Sequence, residues 1–227
     1  LLLTLGETLG DFFAQTLDLG YLAGIGITLV FFLITLSFQL SAKRYIPDFF
    51  WLVIIGTTTL GTEISDFIDR SLHLGYSSGS FVLVFFLLLT LYLWHKKYGN
   101  LEVSPIFEKQ KEIYFWVAVL FSNSLGTAFG DYLNDGLGFS YLIGALITLS
   151  VIVVVVLLHS YTKINHILLF WIAFVFTRPF GATFGDFLTK PLAKGGLDLG
   201  TLNASIVSIV IMIALIIIAH KREKLQH

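Results

Sequence analysis

The sequence predicts an all-α membrane fold: a polytopic helical bundle of eight spanning helices, built as four parallel two-helix repeats. Three observations predict it. The 227 residues are 56% hydrophobic and only 13% charged, with a mean hydropathy of +0.85, whereas soluble domains are usually about a quarter charged. Apolar runs of the roughly 20 residues that a bilayer core requires recur along the whole chain. One short pattern also returns four times, as Gly6-Glu7-Thr8-Leu9-Gly10-Asp11, Gly61-Thr62-Glu63-Ile64-Ser65-Asp66, Gly126-Thr127-Ala128-Phe129-Gly130-Asp131 and Gly181-Ala182-Thr183-Phe184-Gly185-Asp186. Each copy reads Gly, three residues, a small residue, Asp, and the copies lie roughly 55 to 65 residues apart, which marks an internal repeat.

In chain order, Leu1 to Leu17 is the first motif helix and Leu22 to Leu40 the first plain apolar helix. The pairs that follow are Phe49 to Ile68 with Tyr76 to Trp94, Ile113 to Leu133 with Tyr141 to Leu158, and Ile167 to Leu188 with Leu202 to Ala219. Trp51, Trp116 and Trp171 stand ten residues before their glycines as packing or interfacial residues; by this register the first helix lacks its beginning. Tyr21, Tyr76 and Tyr141 follow their Asp by ten residues, and Gly24, Gly79 and Gly144 by thirteen. The fourth repeat keeps that spacing only with an insertion of a few residues around Lys194-Gly195-Gly196. One transmembrane domain, 1–227, therefore divides into pseudo-repeats 1–44, 45–100, 110–163 and 164–227. A polar loop, 95–112, joins its two halves.

Because each unit contains two spans, successive units enter the membrane from one side. Lys43, Arg44, Lys96, Lys97, Lys109, Lys111, Lys163, Lys221, Arg222 and Lys224 all follow plain helices, while the opposite turns carry Asp18, Asp69 with Arg70, and Asp135. The positive-inside rule then places both termini in the cytoplasm and the four motif Asp residues toward the outer side, although Lys190 and Lys194 weaken the contrast.

On a helix, the small residues of each motif and its Asp lie on neighbouring edges. Gly6, Gly10, Gly61, Ser65, Gly126, Gly130, Gly181 and Gly185 are the expected close-packing positions, since Gly-xxx-Gly spacing lets helix backbones approach in lipid. The motif helices are accordingly expected at the centre. A helix break at the motif is the alternative, and Pro179 favours it in the fourth copy.

Six acids then face the interior: Glu7, Asp11, Glu63, Asp66, Asp131 and Asp186, with Arg178 the lone counter-charge expected at that depth. Ionised groups within a membrane are costly and call for a partner, a proton, a cation or water. Carboxylates with the hydroxyls of Thr8, Thr62 and Thr127 suit a hard divalent cation, and a chain with no Cys and one Met offers no soft ligand. The histidines lie at span ends without metal-ligand spacing. No nucleophile motif, Walker loop or dinucleotide fingerprint points to an enzyme.

The Trp positions and the Gly-xxx-[Gly/Ser]-Asp motifs resemble a family of bacterial multi-pass inner-membrane proteins, built from four tandem two-helix repeats of unknown function. That resemblance implies a bacterial inner membrane and supplies no substrate. The first motif is also similar, by analogy only, to acidic motifs of manganese exporters.

The resulting expectation is a proton-coupled secondary transporter of manganese or magnesium. Asp11, Asp66, Asp131 and Asp186 would be the metal-ligand ring, Glu7 and Glu63 would bind the ion or carry protons, and Arg178 would tune them. The alternatives are a membrane sensor or scaffold with structural acids, and a transporter of a small organic solute whose carboxylate Arg178 holds. Expected partners are the lipid bilayer and a small cation or proton; no organic cofactor and no nucleic acid is expected, and a homo-oligomer stays open.

Overall fold

The computed structural model describes residues 2–12, 20–42, 46–103, 106 and 108–226, without the side chains of 2, 7, 194, 212 and 215–226. Gln15, Asp18, Lys43 and Arg44, and the side chains of Glu7, Lys194, Lys221, Arg222 and Lys224, thus lie outside the described residues. Among the described residues the chain forms eight α-helices and no strand: α1 Leu2–Asp11, α2 Tyr21–Ser41, α3 Pro47–Asp66, α4 Gly75–Tyr98, α5 Lys109–Asp131, α6 Tyr141–Tyr161, α7 His166–Thr189 and α8 Thr201–Gln226. Five segments, α2, α4, α6, α7 and α5 with its extension to Gly136, are long and apolar enough to cross a membrane. In α3 the run Gly56-Thr57-Thr58-Thr59 and the acids Glu63 and Asp66 lower the hydropathy.

Each plain helix turns its large apolar side chains outward, as with Leu33 and Ile34 of α2, Phe81 and Phe85 of α4, and Val154 and Val156 of α6. The inward stripe of α2 is Gly24, Thr28, Phe32, Thr35 and Gln39. Exposed apolar side chains with small and hydroxyl-bearing ones inside are what a lipid solvent selects, because helix association there depends on close packing and hydrogen bonds.

Helices α1, α3, α5 and α7 form a closed ring in which each packs against the next and α7 returns to α1. The plain helices do not pack chiefly on their own repeat. Instead α2 lies on α3, α4 on α5, α6 on α7, and α8 reaches back to α1.

Glycine sets the ring's spacing. A Cβ at Gly6 would strike Thr58, one at Gly61 would strike Asn123, one at Gly126 would strike Arg178, and one at Gly181 would strike Leu3. In every case the obstacle is the residue three positions before the next motif's first glycine. The four junctions therefore share one register, and each glycine admits the side chain of the following helix.

The motif is continuous helix, and α7 runs through Pro179 without ending. Departure from α geometry begins after the Asp, in π turns at Phe67–Ser71 and Tyr132–Gly136. After α7 the chain makes a short 3-10 turn, Leu192–Lys194, and is tied back by Leu197 N–H to Phe187 C=O at 2.7 Å and Leu199 N–H to Leu188 C=O at 3.0 Å. Gly20, Gly75 and Gly200 stand immediately before Tyr21, Tyr76 and Thr201, all with φ between 71° and 75°, a left-handed conformation that L side chains resist.

At the end of the bundle away from the aspartates, Trp94 meets Trp171 edge-on at 5.7 Å and also packs against Phe115. The Trp171 indole donates to Leu101 C=O at 3.1 Å, so the polar connection between the halves is strapped to the core. Trp116 is buried, whereas Trp51 is 38% exposed.

Candidate functional site: two charged layers on one axis

The motif Asp residues sit at the last residue of α1, α3 and α5 and near the end of α7, and all four are buried. Helix periodicity brings a cation to two of them. Arg70 lies four residues after Asp66 and Lys190 four residues after Asp186, the spacing at which helical neighbours meet. Each cation also reaches the Asp of an adjacent helix. Arg70 approaches Asp131 at 3.0 Å and Asp66 at 3.6 Å. Lys190 approaches Asp11 at 3.0 Å and Asp186 at 3.3 Å. Two cations thus bridge two pairs of carboxylates, each pair spanning neighbouring motif helices.

The corners differ in their surroundings. Arg70 also donates to the Tyr21 hydroxyl at 3.2 Å. In the fourth repeat Thr201 stands where the others have Tyr21, Tyr76 and Tyr141, and beside it a cavity of about 440 Å³ is lined by Asp11, Thr189, Lys190, Thr201 and Asn203 among others. Burial opposes the charge on Lys190, but Asp186 and Asp11 outweigh it and hold the ammonium above the ordinary lysine pKa.

One layer further in, Arg178 is completely buried. Its guanidinium donates to Leu3 C=O at 2.7 Å on α1, to Thr58 C=O at 3.2 Å on α3 and to Asn123 C=O at 3.2 Å on α5. Those three carbonyls belong to the positions equivalent to Arg178 itself in the other repeats. The hydroxyls of Thr127, at 2.9 Å, and of Thr62 accept from it as well. A buried cation needs such acceptors, because desolvating it without partners costs several kcal/mol. Arg178 therefore fastens the other three motif helices to the fourth.

These contacts revise several expectations. Arg178 is not the sole counter-charge, since Arg70 and Lys190 serve the aspartates directly. The four Asp residues are divided across two cations rather than assembled as a metal-ligand ring, and among the described residues no three acidic or histidine side chains come together as a metal-holding group. Glu63 leaves the central axis altogether. It faces α2, where its carboxyl bonds Thr28 and lies against Gly24. Thr8 likewise turns to α8, accepting from the Ser205 hydroxyl at 2.7 Å. Glu7 shares the register of Thr62 and Thr127, and its side chain is outside the described residues. Gly10 and Gly130 back onto Thr62 and Ala182 of the following motif helices, while Ser65 and Gly185 are buried.

Sequence reasoning passed over Arg70 and Lys190 as bridging groups, although their four-residue spacing from an Asp was a usable signal. Asp69, read as a turn residue, is buried with its side chain against Gly79.

A bundle with lipid-facing apolar helices, a glycine-spaced ring and charge held on its axis defines the class: a polytopic helical membrane protein with a polar core. Within that class the chain belongs to the family described as Repeat of Unknown Function (DUF347), whose four repeats match residues 1–45, 49–99, 114–165 and 169–224. No curated protein and no solved structure matches it.

Proposed function

We propose that the chain is a secondary transporter of a small hard cation, such as manganese or magnesium, exchanged against protons across a bacterial inner membrane. In this reading all eight helices span, both termini are cytoplasmic, and the Asp layer is the outer ion site. The observation that carries it is the Lys190 ammonium lodged between Asp11 and Asp186. A tethered cation between two carboxylates occupies the place an ion would take, so an arriving ion competes with it for the same oxygens. The adjoining cavity of about 440 Å³ gives the displaced lysine somewhere to go.

Flux of Mn²⁺ or Mg²⁺ into liposomes containing the purified protein, under an imposed pH gradient, tests this. Asp11→Asn and Asp186→Asn should each lower flux at least about tenfold while the protein stays folded. Unchanged flux in both would remove the ion site.

A second reading, a non-transporting sensor or scaffold, draws support from Arg178, whose buried guanidinium ties the four motif helices together. It expects no flux from the unaltered protein and a lower melting temperature in both variants. The organic-solute alternative draws no support from Arg178, whose Nε and both terminal nitrogens donate to protein oxygens.

A further inference from the structure

The four interfaces between a plain helix and the following motif helix are equivalent by register, and one of them differs chemically from the rest. The position two residues after the first glycine is Thr8 at the α8–α1 interface, Ala128 at α4–α5, Thr183 at α6–α7 and Glu63 at α2–α3. All four side chains are essentially inaccessible. Alanine and threonine stand at three of these places, so Glu63 is the one carboxyl at this motif position; the glycines equivalent to Gly24 are met instead by Asp69 at Gly79 and Asn134 at Gly144.

The hydrogen bonds around Glu63 bear on its protonation. Thr28 has one hydroxyl proton, and its oxygen lies 3.1 Å from Gly24 C=O, the usual acceptor for a helical threonine, as well as against the Glu63 carboxyl. If that proton goes to Gly24, the bond between Thr28 and Glu63 needs a proton from Glu63. The second carboxyl oxygen, Oε1, is buried and has no hydrogen-bond partner.

Among the described residues, the charged groups on the elements packed round α3 lie against other partners, although both Asp69 oxygens lack a hydrogen bond. Asp66 and Asp131 pair with Arg70, which also bonds Tyr21 at the start of α2; Asp11 pairs with Lys190; Asp69 lies against Gly79. An ionised carboxylate with one hydroxyl donor and, among the described residues, no cation beside it would cost several kcal/mol inside a membrane, whereas the neutral acid satisfies Thr28 without that penalty.

We propose that Glu63 is a proton-binding site separate from the two axial layers, holding its proton at neutral pH between α2 and α3. The proton leaves only when that interface opens to water. Gly24 is the residue that makes room for the carboxyl, since a Cβ there would collide with it. The site does not depend on the transport reading.

Infrared difference spectroscopy of the full-length protein in lipid tests the assignment. At pH 7 the unaltered protein should show the C=O stretch of a protonated carboxylic acid that is missing from Glu63→Gln. In Thr28→Val, which keeps the acid and removes its partner, that band should move to higher frequency. Glu63→Gln should fold and melt within about 3 °C of the unaltered protein, because an amide N–H can donate to Thr28 as the neutral acid does. Absence of the band at pH 7, or failure of Glu63→Gln to fold, would overturn the proposal. Flux and the infrared band measured together in the unaltered protein, Asp11→Asn and Asp186→Asn distinguish the two readings: the ion site fails if flux is the same in all three, and the Glu63 assignment stands or falls on the band alone.

Discussion

The inner and outer charged layers lie on the same four helices, about 6 Å apart at 1.5 Å per residue, since the Arg178 guanidinium reaches Thr62 and Thr127 four residues before the aspartates, yet they differ in what holds the charge. In the inner layer Arg178 is held by backbone carbonyls of three helices, which cannot move without moving the helices. In the outer layer the aspartates are held by Arg70 and Lys190, whose side chains remain 31% and 24% exposed. Backbone acceptors make a fixed clamp, whereas flexible side chains make a contact that can be exchanged. The ring thus combines a rigid waist with an adjustable mouth.

Arg178→Met tests the clamp and should have the largest effect. It orphans carbonyls and hydroxyls from three helices, and each buried polar group left without a partner costs about 1–3 kcal/mol. Chemical denaturation in detergent should report that loss; a change under about 1 kcal/mol would mean the waist is held by packing alone.

Gly126→Ala should come next, because its Cβ would meet Arg178 and Pro179. Overpacking of this kind costs about 1–3 kcal/mol. Gly26→Ala, where a Cβ meets nothing within 4 Å, serves as the control and should be neutral or stabilising by up to about 1 kcal/mol. Equal losses at the two positions would contradict the close approach of α5 and α7.

At the mouth, Lys190→Met should change stability by less than about 2 kcal/mol, since the ion pair is partly solvated. Ion flux should nevertheless respond strongly if a cation shares the Asp11–Asp186 site.

The smallest effect belongs to Thr201→Tyr, which restores the residue of the other three repeats beside a cavity already present. Stability should move by less than about 1 kcal/mol, and flux should fall if Lys190 needs that space. Flux equal to that of the unaltered protein would show that the cavity plays no part in exchange.

Much of this arrangement was legible in one dimension. Four motifs at near-constant spacing marked the repeats, and the long apolar runs marked the membrane class, because a bilayer demands about 20 apolar residues whatever the surrounding fold. Pairing across repeats was harder to read. Arg70 and Lys190 were visible as neighbours of Asp66 and Asp186, but their reach to Asp131 and Asp11 depends on which helices stand side by side. Glu63 misled for a related reason. One residue beyond Thr62 on a helix is a rotation of about 100°, enough to send Glu63 to α2 while Thr62 points at Arg178.

By itself, the sequence determined that the protein lives in a membrane, that it is built from four repeats, and that small residues and acids share each motif helix; these are local properties of composition and period. Only the tertiary structure decided that each plain helix serves the next repeat, that two cations divide four aspartates, and that one arginine gathers carbonyls from three other helices. The physical reason is that a charge buried away from water takes whatever partner the closed ring brings within about 3 Å, and residues as far apart as Leu3 and Arg178 become neighbours only when that ring shuts.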